Sequence, residues 1–403
     1  MKKILFATVV PFWNRETGAQ QRIFSMVKVL ESHGHQVRVF FPAHVDADDR
    51  RIAEQLDLDI SFQRSDQPAA TGQSLTQKIK WQLDAVKHAV GQAVNFDQLD
   101  TEKNQPLTLS DFRWPWAEAA FQNEVIEFAP DAIISEYVTM AYLVESLPVG
   151  IRSEIHCLVD THDLLSRRQQ QFADHDRPHW IDISVEEEAA ALNIFDTVIA
   201  IQEDEAAEFK RMASQSTVIV VGHQTIAADA IDFKTEHVSE ILTLGYLGSK
   251  NASNVDAINQ FLDVVWRNFQ NDPRVRLVLA GDASGEVLPS LRFKNLQLLG
   301  RVGDVRDFYR EVDAVVNPVG YGTGLKIKSV EAIAFGKPLL CTAAGWTGRR
   351  DEATIVVNQL PEMTHEIEHW LENHESFERI RKAACTSSKR LKDLPYQSLT
   401  DVL

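Results

Sequence analysis

The sequence predicts an α/β protein of two domains, each a doubly wound parallel sheet. Three observations carry this. Short apolar runs alternate with amphipathic stretches along most of the chain, which is the pattern of buried strands joined by crossover helices. At 403 residues the chain exceeds one ordinary core, and the alternation starts afresh near residue 240, after a joint placed at 227–239. Finally, residues 320–324 form a glycine-rich loop entered from an apolar strand and left into a helix, the joint at which such sheets hold anions.

In chain order, residues 4–10 read as a first strand buried on both faces. Lys2 and Lys3 before this run resemble the start of a secretion signal. The run is short, however, and meets Pro11 and Phe12 with no small-residue cleavage site. A loop then leads into a helix over 20–32, Gly34 stops it, and 37–41 forms a second strand. Further strands are expected at 132–135, 155–160, 197–200 and 217–221. Residues 64–112 differ, being rich in Gln, Asp and Thr. Within them Leu75, Ile79, Leu83, Val86 and Val90 at helical spacing predict a peripheral helix between polar loops.

The second half opens with a strand at 241–246. Gly248, Ser249, Lys250 and Asn251 turn it into a helix over 255–269. Strands follow at 276–280 and 296–299, a helix at 305–312, a strand at 314–317, the glycine loop, a helix at 326–335 and a strand at 338–341. The predicted domains are residues 1–235 and 236–389, with residues 390–403 returning to the first. Ligands of doubly wound sheets bind beyond the carboxyl ends of the strands, so two facing domains of this kind would form a cleft.

Composition excludes several classes. Hydrophobic residues at 44% and charged residues at 25% are those of a packed globular protein. A formal net charge of −17 excludes a bulk basic surface for nucleic acid. Cys157, Cys341 and Cys385 are few, odd in number and far apart, as expected of a reducing, cytoplasmic setting and not of a cysteine zinc site. No window approaches ~18 consecutive apolar residues, so no transmembrane segment is expected; peripheral contact with a membrane stays open.

The strongest local signal is residues 320–336. Gly320, Gly322 and Gly324 are expected to turn with positive φ and let a ligand approach the backbone, while amides of the first helical turn point at it. Lys326 and Lys328 add charge. Glu331 lies seven residues past Gly324, roughly 10 Å along a helix, about the span from a diphosphate to a ribose. The same spacing also fits a plain strand–loop–helix joint in which Lys328 pairs with Glu331. In the first half, His162 follows a strand end between Asp160 and Asp163, where Asp163 could cap the next helix. Arg167 and Arg168 follow, on a helix face that is either solvated or turned to an anion.

The run from Gly324 to Pro338 resembles the nucleotide-sugar signature of retaining GT-B glycosyltransferases, and of glycosyltransferase family 4 (glycosyl transferases group 1) in particular. The segments Gly18 to Arg22, Asp160 to Leu164, Gly245 to Ser249, Leu279 to Asp282 and Gly300 to Val302 agree with it in order. The resemblance implies a GT-B fold of two facing Rossmann-like domains. It implies a transferase that moves a sugar from a nucleoside-diphosphate sugar to an acceptor hydroxyl, on a glycan, lipid-linked glycan, protein or small molecule, with retention and without metal or cofactor. His162 and Lys326 are the implied catalytic residues. Gly18, Gly248, Ser249, Lys250, Arg301, Val302, Gly322, Thr323, Gly324, Leu325 and Glu331 are the implied donor contacts. Asp282 is not part of an Asp-x-Asp metal motif. The chain departs from the family at Thr323, where a first acidic residue would stand, and at Thr17, where a Gly-Gly pair would begin. Two other readings share these residues: a GT-B-fold nucleotide-sugar epimerase and a non-catalytic nucleotide-binding relative.

Overall fold

A computed structural model describes residues 1–403 apart from 16, 44, 46, 64–105, 224–240, 347–351 and 393–396. The predicted helix around Leu75 to Val90, the joint at 227–239 and the 235/236 boundary lie outside the described residues. The chain divides into two compact units, Met1–Gly222 with Tyr396–Leu403, and His223–Pro395.

In the first unit seven parallel strands run in the order β3-β2-β1-β4-β5-β6-β7. These are β1 Lys3–Ala7, β2 Gln36–Phe41, β3 Ile60–Phe62, β4 Ala132–Glu136, β5 His156–Asp160, β6 Thr197–Ala200 and β7 Thr217–Val220. Residues 4–7 are wholly buried inside the sheet, so the strand read over 4–10 is present but ends at Ala7. Helix α1 covers Gly18–Ser32, starting two residues earlier than expected because Thr17 and Gln20 form a reciprocal capping box. Helices at Ala47–Gln55 (α2), Pro115–Phe128 (α3), Leu165–Ala173 (α4), Val185–Leu192 (α5) and Glu203–Met212 (α6) cover the sheet. Of these only α4 was anticipated, as the helix after His162. Its cap is a correction. Asp163 accepts from Arg168 at 2.6 Å, and the first amides of α4, Leu165 and Ser166, donate to Glu188 of α5 at 2.8 Å each.

In the second unit six parallel strands run β10-β9-β8-β11-β12-β13. They are β8 Leu242–Leu247, β9 Val275–Ala280, β10 Leu296–Gly300, β11 Ala314–Asn317, β12 Leu339–Thr342 and β13 Thr354–Val357. Helix α7 spans Ala252–Val264, capped by Asn251 onto the Asn254 amide at 2.8 Å. The single helix expected over 255–269 therefore starts early, ends at Val264 and continues as a short tight turn over Trp266–Phe269. Helices α8 Val305–Glu311, α9 Ile327–Ala334, α10 Glu362–Glu372 and α11 His374–Lys392 complete this unit. A last helix, α12 Gln397–Val402, belongs to the first unit, where Ser398 Oγ donates to the Val220 carbonyl at 3.1 Å. Among the described residues no helix is long and apolar enough to cross a membrane.

Both sheets reverse their winding beside the first strand of the unit, between β1 and β4 and between β8 and β11. The ligand site of a doubly wound sheet is expected beyond the strand ends at such a point. Asp160 ends β5 with His162 just after it, Gly248 and Arg301 follow β8 and β10, and the glycine loop and α9 follow β11.

Candidate functional site

At the first edge, β4 and β5 pair in register so that Glu136 lies opposite Asp160. Both carboxylates are buried, at 1% and 0% exposure. Arg22 of α1 reaches Asp160 as a two-pronged pair, Nε and Nη2 each 2.6 Å from an oxygen, and gives Nη1 to the Gly222 carbonyl at 3.0 Å. His162 Nε2 lies 2.6 Å from Glu136 Oε2 and 3.5 Å from Asp160 Oδ2. Burial, and then the neighbouring Asp160 charge, push the Glu136 carboxyl up to about 7.

The backbone at this edge is strained. His162 has φ 55, and Tyr137, directly after Glu136, has φ 64 and ψ 154, a conformation nearly reserved for glycine. Their rings stack with centroids 4.3 Å apart at 11°. Glu136, Asp160 and His162 thus each place a carboxylate oxygen or ring nitrogen within 4.8 Å of the others. Arg22 covers both Asp160 oxygens and balances that carboxylate.

At the second edge the glycine loop is pinned from several sides. Gly322 and Gly324 have φ 111 and 74, as expected, but Gly320 has no positive φ. Lys326 stands at the N-cap of α9, and its Nζ donates to the carbonyls of Gly322, Thr323 and Gly324 at 2.8, 2.7 and 3.3 Å. Its ammonium thus shapes the loop as well as charging the helix N-terminus. Tyr321 donates to Asp256 of α7 at 2.7 Å. Lys328 reaches across to β8 and α7, with Nζ 2.5 Å from Asn254 Oδ1, 3.2 Å from the Tyr246 hydroxyl and 4.7 Å from its ring centre. Asn317, at the end of β11, ties Ser329 Oγ and the Gly345 carbonyl at 2.8 and 2.9 Å, which fixes the first turn of α9.

Glu331 is 3% exposed, so it is not a solvated helix carboxylate. Its Oε2 accepts from the buried Tyr309 hydroxyl of α8 at 3.2 Å, and Tyr309 stacks on Phe335. Lys250 pairs with Glu286 at 2.7 Å on the surface. Arg301 is held by Asp282 at 2.9 and 3.2 Å, so Asp282 serves an ion pair; Val302 follows, half-buried. Gly248 approaches the backbone of Gly281 so closely that a Cβ at 281 would collide with its carbonyl. The loop after β9 must therefore carry glycine at 281, which also has φ 81, whereas a Cβ at Gly248 would meet the Tyr246 side chain.

Within the first unit the fold brings together His162, Asp160 and Arg22; Gly18 is the first residue of α1. Within the second it brings Gly322 to Leu325, Lys326 and Glu331 onto one loop and helix. Sequence reasoning missed Glu136, Tyr309 and Asn254. A lone acid closing an apolar strand was the available signal for Glu136; the other two carried none.

Two doubly wound parallel sheets with these edges define the GT-B class. Residues 241–373 match the family model described as Glycosyl transferases group 1, a span that holds the glycine loop and α9. Among curated proteins none matches the chain in sequence. Among solved structures, Anabaena HepE in complex with UDP and glucose covers all of this chain and 100% of its own, with 15% identity and a TM-score of 0.61. TarM covers all of this chain and 97% of its own at 9% identity and a TM-score of 0.69. Sucrose-phosphate synthase of Thermosynechococcus elongatus covers all of this chain and 98% of its own at 13% identity and 0.62. At these identities the likeness is one of fold, and the group 1 match covers residues 241–373, within the second unit.

Proposed function

We propose that this protein transfers a sugar from a nucleoside-diphosphate sugar to an acceptor hydroxyl, with retention of the anomeric configuration and without a metal. The observation that carries the reading is the buried Glu331 on a helix whose first turn is wrapped by a glycine loop, inside the span matched by the group 1 family. HepE is solved in complex with UDP-glucose, which makes a uridine nucleotide the first to try.

In this reading Glu331 accepts hydrogen bonds from the ribose hydroxyls, as a carboxylate held in place by Tyr309 does well. The amides of Thr323 to Leu325 and the N-terminus of α9 receive the diphosphate. Lys326 supplies charge there and keeps the loop curled, with Lys328 as a second cation on the same helix. Negative charge grows on the leaving diphosphate as the glycosidic bond breaks, so these fixed positive groups bind the transition state better than the ground state. His162 contacts a sugar hydroxyl. Thr323 offers a hydroxyl where relatives of this kind present a carboxylate, so sugar contacts fall to other groups. The departing diphosphate takes the acceptor proton on the front face, a route that needs no nucleophilic carboxylate. The acceptor, and a cytoplasmic location, belong to the same proposal.

The test is thermal unfolding with UDP-, GDP-, ADP- and dTDP-sugars, because a ligand bound by the native state alone raises stability by about 2.7 kcal/mol at a hundred times its Kd. Stabilisation confined to one base is expected, followed by NMR of the product anomer. No shift with any nucleotide sugar would overturn the reading.

A further inference from the structure

The edge at β4 and β5 holds two buried carboxylates with different counter-groups. Arg22 and Asp160 form a neutral pair. The remaining balance in this dry cluster turns on one proton between Glu136 and His162, whose atoms lie 2.6 Å apart. With that proton the dyad is neutral overall, as glutamate with imidazolium or glutamic acid with imidazole, and in both forms His162 Nδ1 carries hydrogen. Without it a net negative charge is left where burial and Asp160 both oppose it, and Nδ1 becomes an acceptor. The ring has little freedom to escape this choice, being stacked on Tyr137 and set on a left-handed backbone.

We propose that Glu136 is a positioning residue, which shares a proton with His162 and thereby fixes Nδ1 as a hydrogen-bond donor toward bound ligand. This rests on the reading of His162 as a sugar contact. The groups that face Glu136 are Asp160 on β5, His162 on the turn after it and Arg22 on α1, and they set the pH at which the donor is lost. Burial opposes the ionised carboxyl and so favours the proton-loaded dyad near neutrality.

The dyad can be tested with no ligand present. The full chain is labelled with 15N-histidine, and the His162 ring nitrogens, assigned by comparison with His162→Gln, are titrated from about pH 5.5 to about pH 9. Glu136→Gln keeps the shape and removes the charge. It is expected to lower the His162 midpoint by at least about one unit, a tenfold loss of proton affinity. Glu136→Asp retains a carboxylate at greater distance and should fall between the two; it carries the comparison if the glutamine variant does not fold. A merely structural Glu136 would leave the midpoint unmoved, and that result overturns the dyad whatever the chain transfers. A moved midpoint in a chain that binds no nucleotide sugar leaves the dyad standing and removes the proposed function instead.

Discussion

Replacing Arg22 by methionine removes the counter-charge from a carboxylate with no route to water. Both side chains are 0% exposed. Methionine fills much of the same volume but donates nothing, so both 2.6 Å bonds to Asp160 and the 3.0 Å bond to the Gly222 carbonyl are lost. Breaking one side of a buried pair costs about 3–5 kcal/mol, whereas an exposed pair such as Arg51 with Asp48 is worth about 0–1 kcal/mol. In a unit of this size each kcal/mol moves the midpoint by at least ~2 °C, so Arg22→Met should lower the melting of the first unit by roughly 6–10 °C. Scanning calorimetry reads this directly, since the two units need not melt together. The control is the double variant Arg22→Met with Asp160→Leu, in which both charges go and most of the loss should return. A single variant that melts within ~2 °C of wild type would refute the reasoning, because Asp160 would then have found another partner or water.

Glu331→Gln keeps an acceptor for Tyr309 but removes the charge, and should weaken nucleotide binding by about 1.5–3 kcal/mol, measured by isothermal titration with UDP; unchanged affinity returns Glu331 to a structural role. Gly281→Ala must place a Cβ against the Gly248 carbonyl from a left-handed φ of 81, so it should cost about 1–3 kcal/mol in chemical denaturation, and a neutral result would refute the close crossing. The Glu136 carboxyl is raised from 4.5 to about 7 in the folded chain. A raised acid stabilises fully below its unfolded value and loses that stability as pH climbs through the folded one, so wild type should fall relative to Glu136→Gln between about pH 5 and about pH 8. Guanidinium unfolding at both ends would show parallel stabilities if the shift were absent.

The sequence by itself determined the architecture and the glycine loop, because both are written in contiguous residues. Apolar runs such as 4–7 and 314–317 have little choice but to be central strands, and Gly322 and Gly324 turn with positive φ just before a helix. Helix ends were read less well: Thr17 and Asn251 set two starts that hydrophobic spacing alone puts too late. What only the tertiary structure decided is how charges pair. Arg22 meets Asp160 across 138 residues and Glu136 meets His162 across 26, because parallel strands bring their carboxyl ends to one edge whatever the length of chain between them. The burial of Glu331 and its bond to Tyr309 likewise depend on α8 lying beside α9. Spacing along a chain fixes which residues share a helix face or a loop; it carries no record of which distant carboxylate loses its water and must find a partner.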